Sequence, residues 1–185
     1  MKKVFLLKRA AIAVIVAMSI NLSASAQEKG DMAVVGSLAL GTGDELTNYG
    51  IGAKFQYTVM TPLRMEGSFT YFLPKKWGIA GLVESKLSMW DLSVNANWLF
   101  SVTDKLRVYP LAGVGIFGTK TSAEVNAGEL GSFGDSVSSS EFGFNLGAGL
   151  DFNLTDRLFI NVDAKYRLGS TWSRFLASAG IGYRF

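Results

Sequence analysis

From Glu141 to Phe152 the chain reads EFGFNLGAGLDF, and alternate residues fall into two unlike sets. Phe142, Phe144, Leu146, Ala148, Leu150 and Phe152 are apolar, while Glu141, Gly143, Asn145, Gly147, Gly149 and Asp151 are polar, acidic or glycine. A period of two sends successive side chains to opposite faces of a β-strand. The segment therefore reads as a strand with one face in an apolar medium and the other in polar surroundings.

The same split recurs in seven further segments. Met32 to Leu40 sets Met32, Val34, Leu38 and Leu40 against Ala33, Ser37 and Ala39. Tyr49 to Val59 sets Tyr49, Ile51, Phe55 and Tyr57 against Gly50, Lys54, Gln56 and Thr58. After Thr61-Pro62, Leu63, Met65, Phe69 and Tyr71 alternate with Arg64, Glu66, Ser68 and Thr70. Trp90, Leu92, Val94, Ala96, Trp98 and Phe100 alternate with Asp91, Ser93, Asn95 and Asn97. Leu106, Val108, Pro110, Ala112, Val114 and Ile116 oppose Arg107, Tyr109, Leu111, Gly113, Gly115 and Phe117. Leu158, Ile160, Val162, Ala164 and Tyr166 oppose Asn161, Asp163, Lys165 and Arg167. The last strand sets Phe175, Ala177, Ala179, Ile181, Tyr183 and Phe185 against Arg174, Ser178, Gly180, Gly182 and Arg184.

Connections alternate between tight turns (MTPL, VTDKL, LTDRL) and longer polar segments, of which 74–89 and 119–140 are the longest. That is the grammar of an up-and-down antiparallel sheet. Strands of about 9–11 residues match a tilted crossing of a bilayer, and eight is the smallest number found in membrane barrels. An eight-stranded soluble barrel with an apolar interior is the alternative. Charge decides between them. No Asp, Glu, Lys or Arg stands at any apolar-face position above, although these residues make up 18% of the chain. A lipid-facing Arg or Lys costs roughly 2–4 kcal/mol near the midplane, so membrane barrels keep that face neutral.

Aromatic placement agrees. Tyr49, Tyr71, Trp90, Phe142 and Tyr166 lie toward the long connections; Tyr57, Trp98, Phe100, Phe152 and Tyr183 lie toward the tight turns. Rings at both ends of an apolar band suit the two membrane interfaces. The opposite face carries Lys54, Arg64, Glu66, Asp91, Arg107, Glu141, Asp151, Asp163, Lys165, Arg167 and Arg184, which we expect to pair across a narrow lumen. Lys54 with Glu66, Glu141 with Arg167, and Asp163 with Lys165 or another base are the candidate pairs. Glycines on that face should make room for Tyr109, Phe117 or arginine side chains. Pro110 lacks an N–H, so a bulge or a locally broken ladder is expected there.

The N-terminus reads differently. Lys2, Lys3, Lys8 and Arg9 precede an apolar run, Ala10 to Ile20, and Ala24-Ser25-Ala26 offers a cleavage site. We expect residues 1–26 to be a secretory signal peptide and 27–185 the barrel domain. The formal charge of +3 includes those four leader cations, leaving a near-neutral domain and no basic face for nucleic acid. Without cysteine, a disulfide framework and a lipoprotein anchor are not expected.

Trp90 to Phe100 (WDLSVNANWLF), Tyr109 to Gly115 (YPLAGVG), Phe142 through Tyr166 and the ending Gly182-Tyr183-Arg184-Phe185 together resemble OmpX/OmpA-type outer-membrane β-barrels. The resemblance covers the whole of 27–185. It implies an integral, monomeric barrel in the bacterial outer membrane, in contact with its lipid. It also implies that the terminal row Ile181, Tyr183, Phe185 is read by the outer-membrane assembly machinery. The long connections should then face the cell exterior and could meet an extracellular partner through 74–89 and 119–140.

Catalysis is not expected. The sequence holds no histidine and no cysteine, so Ser-His-Asp and Cys-His arrangements cannot be built. No cofactor or metal site is implied. The leading expectation is a non-enzymatic structural or surface-interaction barrel whose lumen is filled by side chains, since eight strands leave room for little else. A small porin or transport accessory is the alternative; a soluble periplasmic carrier would need an apolar lumen.

Overall fold

The computed structural model describes residues 29–43, 46–79, 83–126, 132–169 and 173–185. The expected leader, and Trp172 of the last connection, lie outside the described residues. The described chain forms β1 (Met32–Gly43), β2 (Leu46–Met60), β3 (Leu63–Ile79), β4 (Val83–Trp98), β5 (Phe100–Ser101), β6 (Leu106–Asn126), β7 (Ser132–Asn153), β8 (Leu158–Gly169) and β9 (Arg174–Arg184). β5 continues β4 after one residue, so the segments make eight antiparallel staves. Their order is β4-β3-β2-β1-β9-β8-β7-β6-β5, and pairing of β4 with β6 closes the ring. At the seam between first and last strands, the Phe185 N–H donates to the Met32 carbonyl at 3.1 Å. A closed sheet leaves no row of unpaired amides, the condition for strands to cross hydrocarbon.

Two turns repeat one device. The Leu106 N–H donates to the Thr103 hydroxyl oxygen at 3.0 Å, and the Leu158 N–H to that of Thr155 at 2.9 Å. Each threonine supplies an acceptor that the reversing backbone needs. The Pro110 expectation resolves as a broken ladder. β6 keeps register with β7 through Pro110↔Ala148. On its other side, pairing stops at Asn97↔Leu111 and resumes at Phe100↔Val108, skipping Trp98 and Leu99. On the β3 side the register carries on past Leu63↔Trp98, the Leu99 N–H donating to the Pro62 carbonyl at 2.9 Å. Pro74 falls within another irregularity, the register shift between Phe72 and Lys75.

One expectation needs correction. The segments 74–89 and 119–140 are not loops for most of their length. β3 pairs with β4 as far as Ile79↔Val83, and β6 pairs with β7 as far as Asn126↔Ser132. Above the band of rings, Ser136 to Ser140 are exposed in succession, so residues of both parities meet water there. The apolar alternation that betrays a strand is lost there, but the backbone ladder is not.

Candidate functional site

Burial is inverted relative to a water-soluble protein. Leu38 is 71% exposed, Leu146 63% and Phe144 62%, whereas Arg64, Asp151 and Asn161 are 0% exposed. The outer face is an uninterrupted apolar surface, far larger than a soluble monomer tolerates. Tyr49, Tyr71, Phe142 and Tyr166 are exposed toward one end of that surface and Trp98, Phe152, Tyr183 and Phe185 toward the other; Trp90, Tyr57 and Phe100 are half-buried.

The inward charges meet in two groups. In the first, Asp151 takes a hydrogen bond from Arg64 Nη1 at 2.6 Å and has Arg107 at 3.9 Å. Asn161 donates to Asp151 at 2.8 Å and to the Tyr109 hydroxyl at 2.7 Å. The Arg64 guanidinium lies 4.8 Å over the Tyr109 ring. Lys54 pairs with Asp163 and donates to Asn161 Oδ1 at 2.8 Å, while Ser178 donates to Asp163 at 2.7 Å. Gly149 is what lets Tyr109 lie so close to β7, since a Cβ there would strike the phenol ring.

In the second group, Asp91 pairs with Arg167 and has Lys165 at 3.6 Å. Ser93 donates to Asp91 at 2.8 Å and accepts from Lys165 at 3.0 Å and from Arg167 Nη2 at 2.6 Å. Arg167 Nε also donates to Asn145, which donates in turn to Asn95 at 2.9 Å. Removing one partner from such a desolvated set strands the other charge, the costly outcome for buried ion pairs.

Not every expected pairing forms. Lys54 stands opposite Ser68 and Gln56 opposite Glu66, so Glu66 accepts from Gln56 at 2.8 Å and from Asn97 at 3.4 Å. Lys54 reaches across the lumen to β8 instead. Asp163 is held by Lys54, while Lys165 turns to Asp91 and Ser93. Arg184 sits at the tight-turn end, donating to Asn153 at 2.8 Å and lying 4.2 Å over Phe159. Glu141 is half-buried at the opposite end.

Sequence reasoning missed the neutral connectors Ser93, Asn95, Asn145 and Asn161, although alternation had put all four on the inner face. It also left Arg174 out of the charge set. Arg174 is 7% exposed, packed 4.0 Å over Phe117 and 5.1 Å over Phe72. Apolar groups close in at both ends: Ala33, Val35 and Phe159 with Leu99, Tyr109 and Leu111 near the tight turns, and Phe72, Met89 and Leu176 near the long hairpins.

An apolar exterior around buried ions on a closed eight-stave sheet is the organisation of a membrane barrel. The sequence model of the outer membrane protein beta-barrel domain matches residues 10–185. The chain belongs to that family. As an outer-membrane β-barrel it is an integral protein of the bacterial outer membrane, its apolar face in lipid. It is 26% identical, over 74% of its length and 76% of the relative's, to the virulence membrane protein PagC of Salmonella typhimurium. Among solved structures it is similar to Ail, the attachment invasion locus protein of Yersinia pestis, in complex with the heparin analogue sucrose octasulfate. That likeness has a TM-score of 0.60 at 22% identity, covering 86% of this chain and 100% of Ail. The N-terminal β-barrel domain of Pseudomonas aeruginosa OprF aligns with a TM-score of 0.54 at 17% identity, over 86% and 100% of the two chains. At these identities the two structures speak to the fold alone.

Proposed function

We propose that this outer-membrane barrel is a non-enzymatic surface-interaction protein: a closed scaffold that holds two stiff hairpins out into the extracellular space. The observation that carries the reading is the β6–β7 ladder, paired without a break from the membrane zone to Asn126↔Ser132. At about 3.3 Å per residue, reduced by strand tilt, the part beyond Gly118 reaches roughly 20 Å. A paired ladder anchored in a barrel has less freedom to lose on contact than an open loop, which favours binding. Similarity to a relative named as a virulence membrane protein supports the same reading. The absence of histidine and cysteine, and the engagement of Asp91, Asp151 and Asp163 with bases, argue against chemistry in the lumen.

The test replaces 119–140 by a tight turn and compares adhesion of cells displaying either form to host-cell or matrix surfaces. Adhesion should fall to background while heat-modifiable migration, the mark of a folded barrel, is kept. Unchanged adhesion would refute the role. In a planar bilayer both forms should show no steady conductance, because ions and apolar side chains fill the lumen; reproducible open channels would favour the porin alternative.

We also assign Ile181, Tyr183 and Phe185 to recognition by the assembly machinery. All three are exposed on the closing strand. Deleting Phe185 should reduce the assembled fraction in cells severalfold, yet leave spontaneous insertion into liposomes unchanged. Equal losses in both settings would mean a purely structural role.

A further inference from the structure

At the long-hairpin end the barrel opens into a cavity of about 390 Å³. Its walls include Leu87, Met89 and Phe117, with Asn48, Glu141 and Arg174 supplying polar groups among threonines and serines. Met89 of that wall also belongs to the packed cluster with Phe72 and Leu176. The volume lies within the range of small-molecule pockets, which combine apolar walls with a few placed polar atoms.

Arg174 is the unusual member. Deeper in the lumen Lys54, Arg64, Arg107, Lys165 and Arg167 each have a carboxylate within 4 Å. Arg174 has none among the described residues. Its guanidinium lies over the faces of Phe117 and Phe72, which hold the plane in place on the cavity wall. Its Nε has no hydrogen-bond partner among the described residues, although the side chain is 7% exposed. The same holds for Oδ1 of Asn48, which is 3% exposed on the same wall. A buried arginine with no carboxylate partner and an unsatisfied Nε is expensive to keep. An oriented arginine fork is also the group best matched to a planar carboxylate or a sulfonate. Glu141 on the wall adds a negative charge that disfavours polyvalent anions and selects for a single charge placed at Arg174.

We propose that this vestibule binds a small monoanion with an apolar body, an aryl- or alkyl-carboxylate or sulfonate. Its head lies on the edge of Arg174 and its body against Leu87, Met89 and Phe117. The site is separate from the hairpin tips, so it stands or falls apart from the surface-contact reading.

The probe is 4-phenylbutyrate, titrated into the full barrel in lipid nanodiscs with 13C-methyl-labelled methionine. Met89 reports the cavity, and Met60, exposed at the opposite rim, reports partition into lipid. A saturable shift of Met89 alone is expected, with at least tenfold weaker response to the neutral 4-phenylbutanamide and at least tenfold loss in Arg174→Gln. Arg174→Lys, which keeps the charge but not the fork, should fall between. Should Arg174→Gln fail to assemble, Leu87→Trp fills the cavity without touching the arginine and should abolish the Met89 response. No Met89 shift in the wild type, equal response to the amide, a shift of Met60 in parallel, or an unaltered response in Arg174→Gln or Leu87→Trp would each overturn the proposal.

Discussion

The lower and upper halves of the β6–β7 hairpin share one continuous ladder and obey different rules. In the lower half parity decides everything: Phe144 and Leu146 are exposed on the outer wall, while Asn145 between them is 2% exposed inside. In the upper half parity decides nothing, because Ser136, Val137, Ser138, Ser139 and Ser140 are all exposed in succession. The backbone pairing is the same; the surroundings are not. Below, lipid on one side and a cramped lumen on the other impose separate demands on neighbouring residues. Above, water on both sides imposes one.

This contrast can be broken first from inside the lower half. Asp151→Ala strands Arg64 and Arg107 in the lumen, and should cost about 3–5 kcal/mol in reversible urea unfolding from lipid vesicles. Pairing it with Arg64→Leu should recover a large part of that loss; a single variant as stable as the wild type would show that the lumen is wetter than its packing implies. Next comes the outer wall. Leu146→Arg places a cation against hydrocarbon and should cost roughly 2–4 kcal/mol. The same change in the upper half of the same strand, Ser138→Arg, should stay within about 0.5 kcal/mol, as solvated surface positions do. Equal losses at the two positions would mean that the membrane boundary has been drawn in the wrong place.

These rules also explain what could be read in the sequence. Alternation exposed the lower half because Leu146 and Asn145, or Val94 and Asn95, cannot exchange places. The number of staves followed from that, and the sidedness of each charge from the absence of charge on the apolar face and the rings at its two ends. The upper hairpins stayed hidden, since a serine run such as 138–140 carries no periodic signal in water. Pairing inside the lumen was hidden for another reason. Lys54 and Glu66 are close in sequence, but partners in the lumen are set by strand stagger around a closed ring, which brings Asp163 on β8 to Lys54 on β2. Apolar inward residues such as Phe159, Leu111 and Leu176 were masked too, because alternation names a face and not what fills it. Arg174 belongs to the same class: parity put it inside, and only the packing of Phe72 and Phe117 shows what surrounds it.

Everything above rests on which side of the wall meets hydrocarbon, and methyl groups of one residue type on both sides allow a direct reading. In nanodiscs with methyl-labelled leucine and valine, nuclear Overhauser effects from lipid acyl protons should reach Leu38, Leu92, Val94, Leu146 and Val162. They should be absent at Val35, Leu111 and Leu176, which are at most 4% exposed. Contacts from acyl chains to that second set, with none to the first, would turn the barrel inside out and contradict the account.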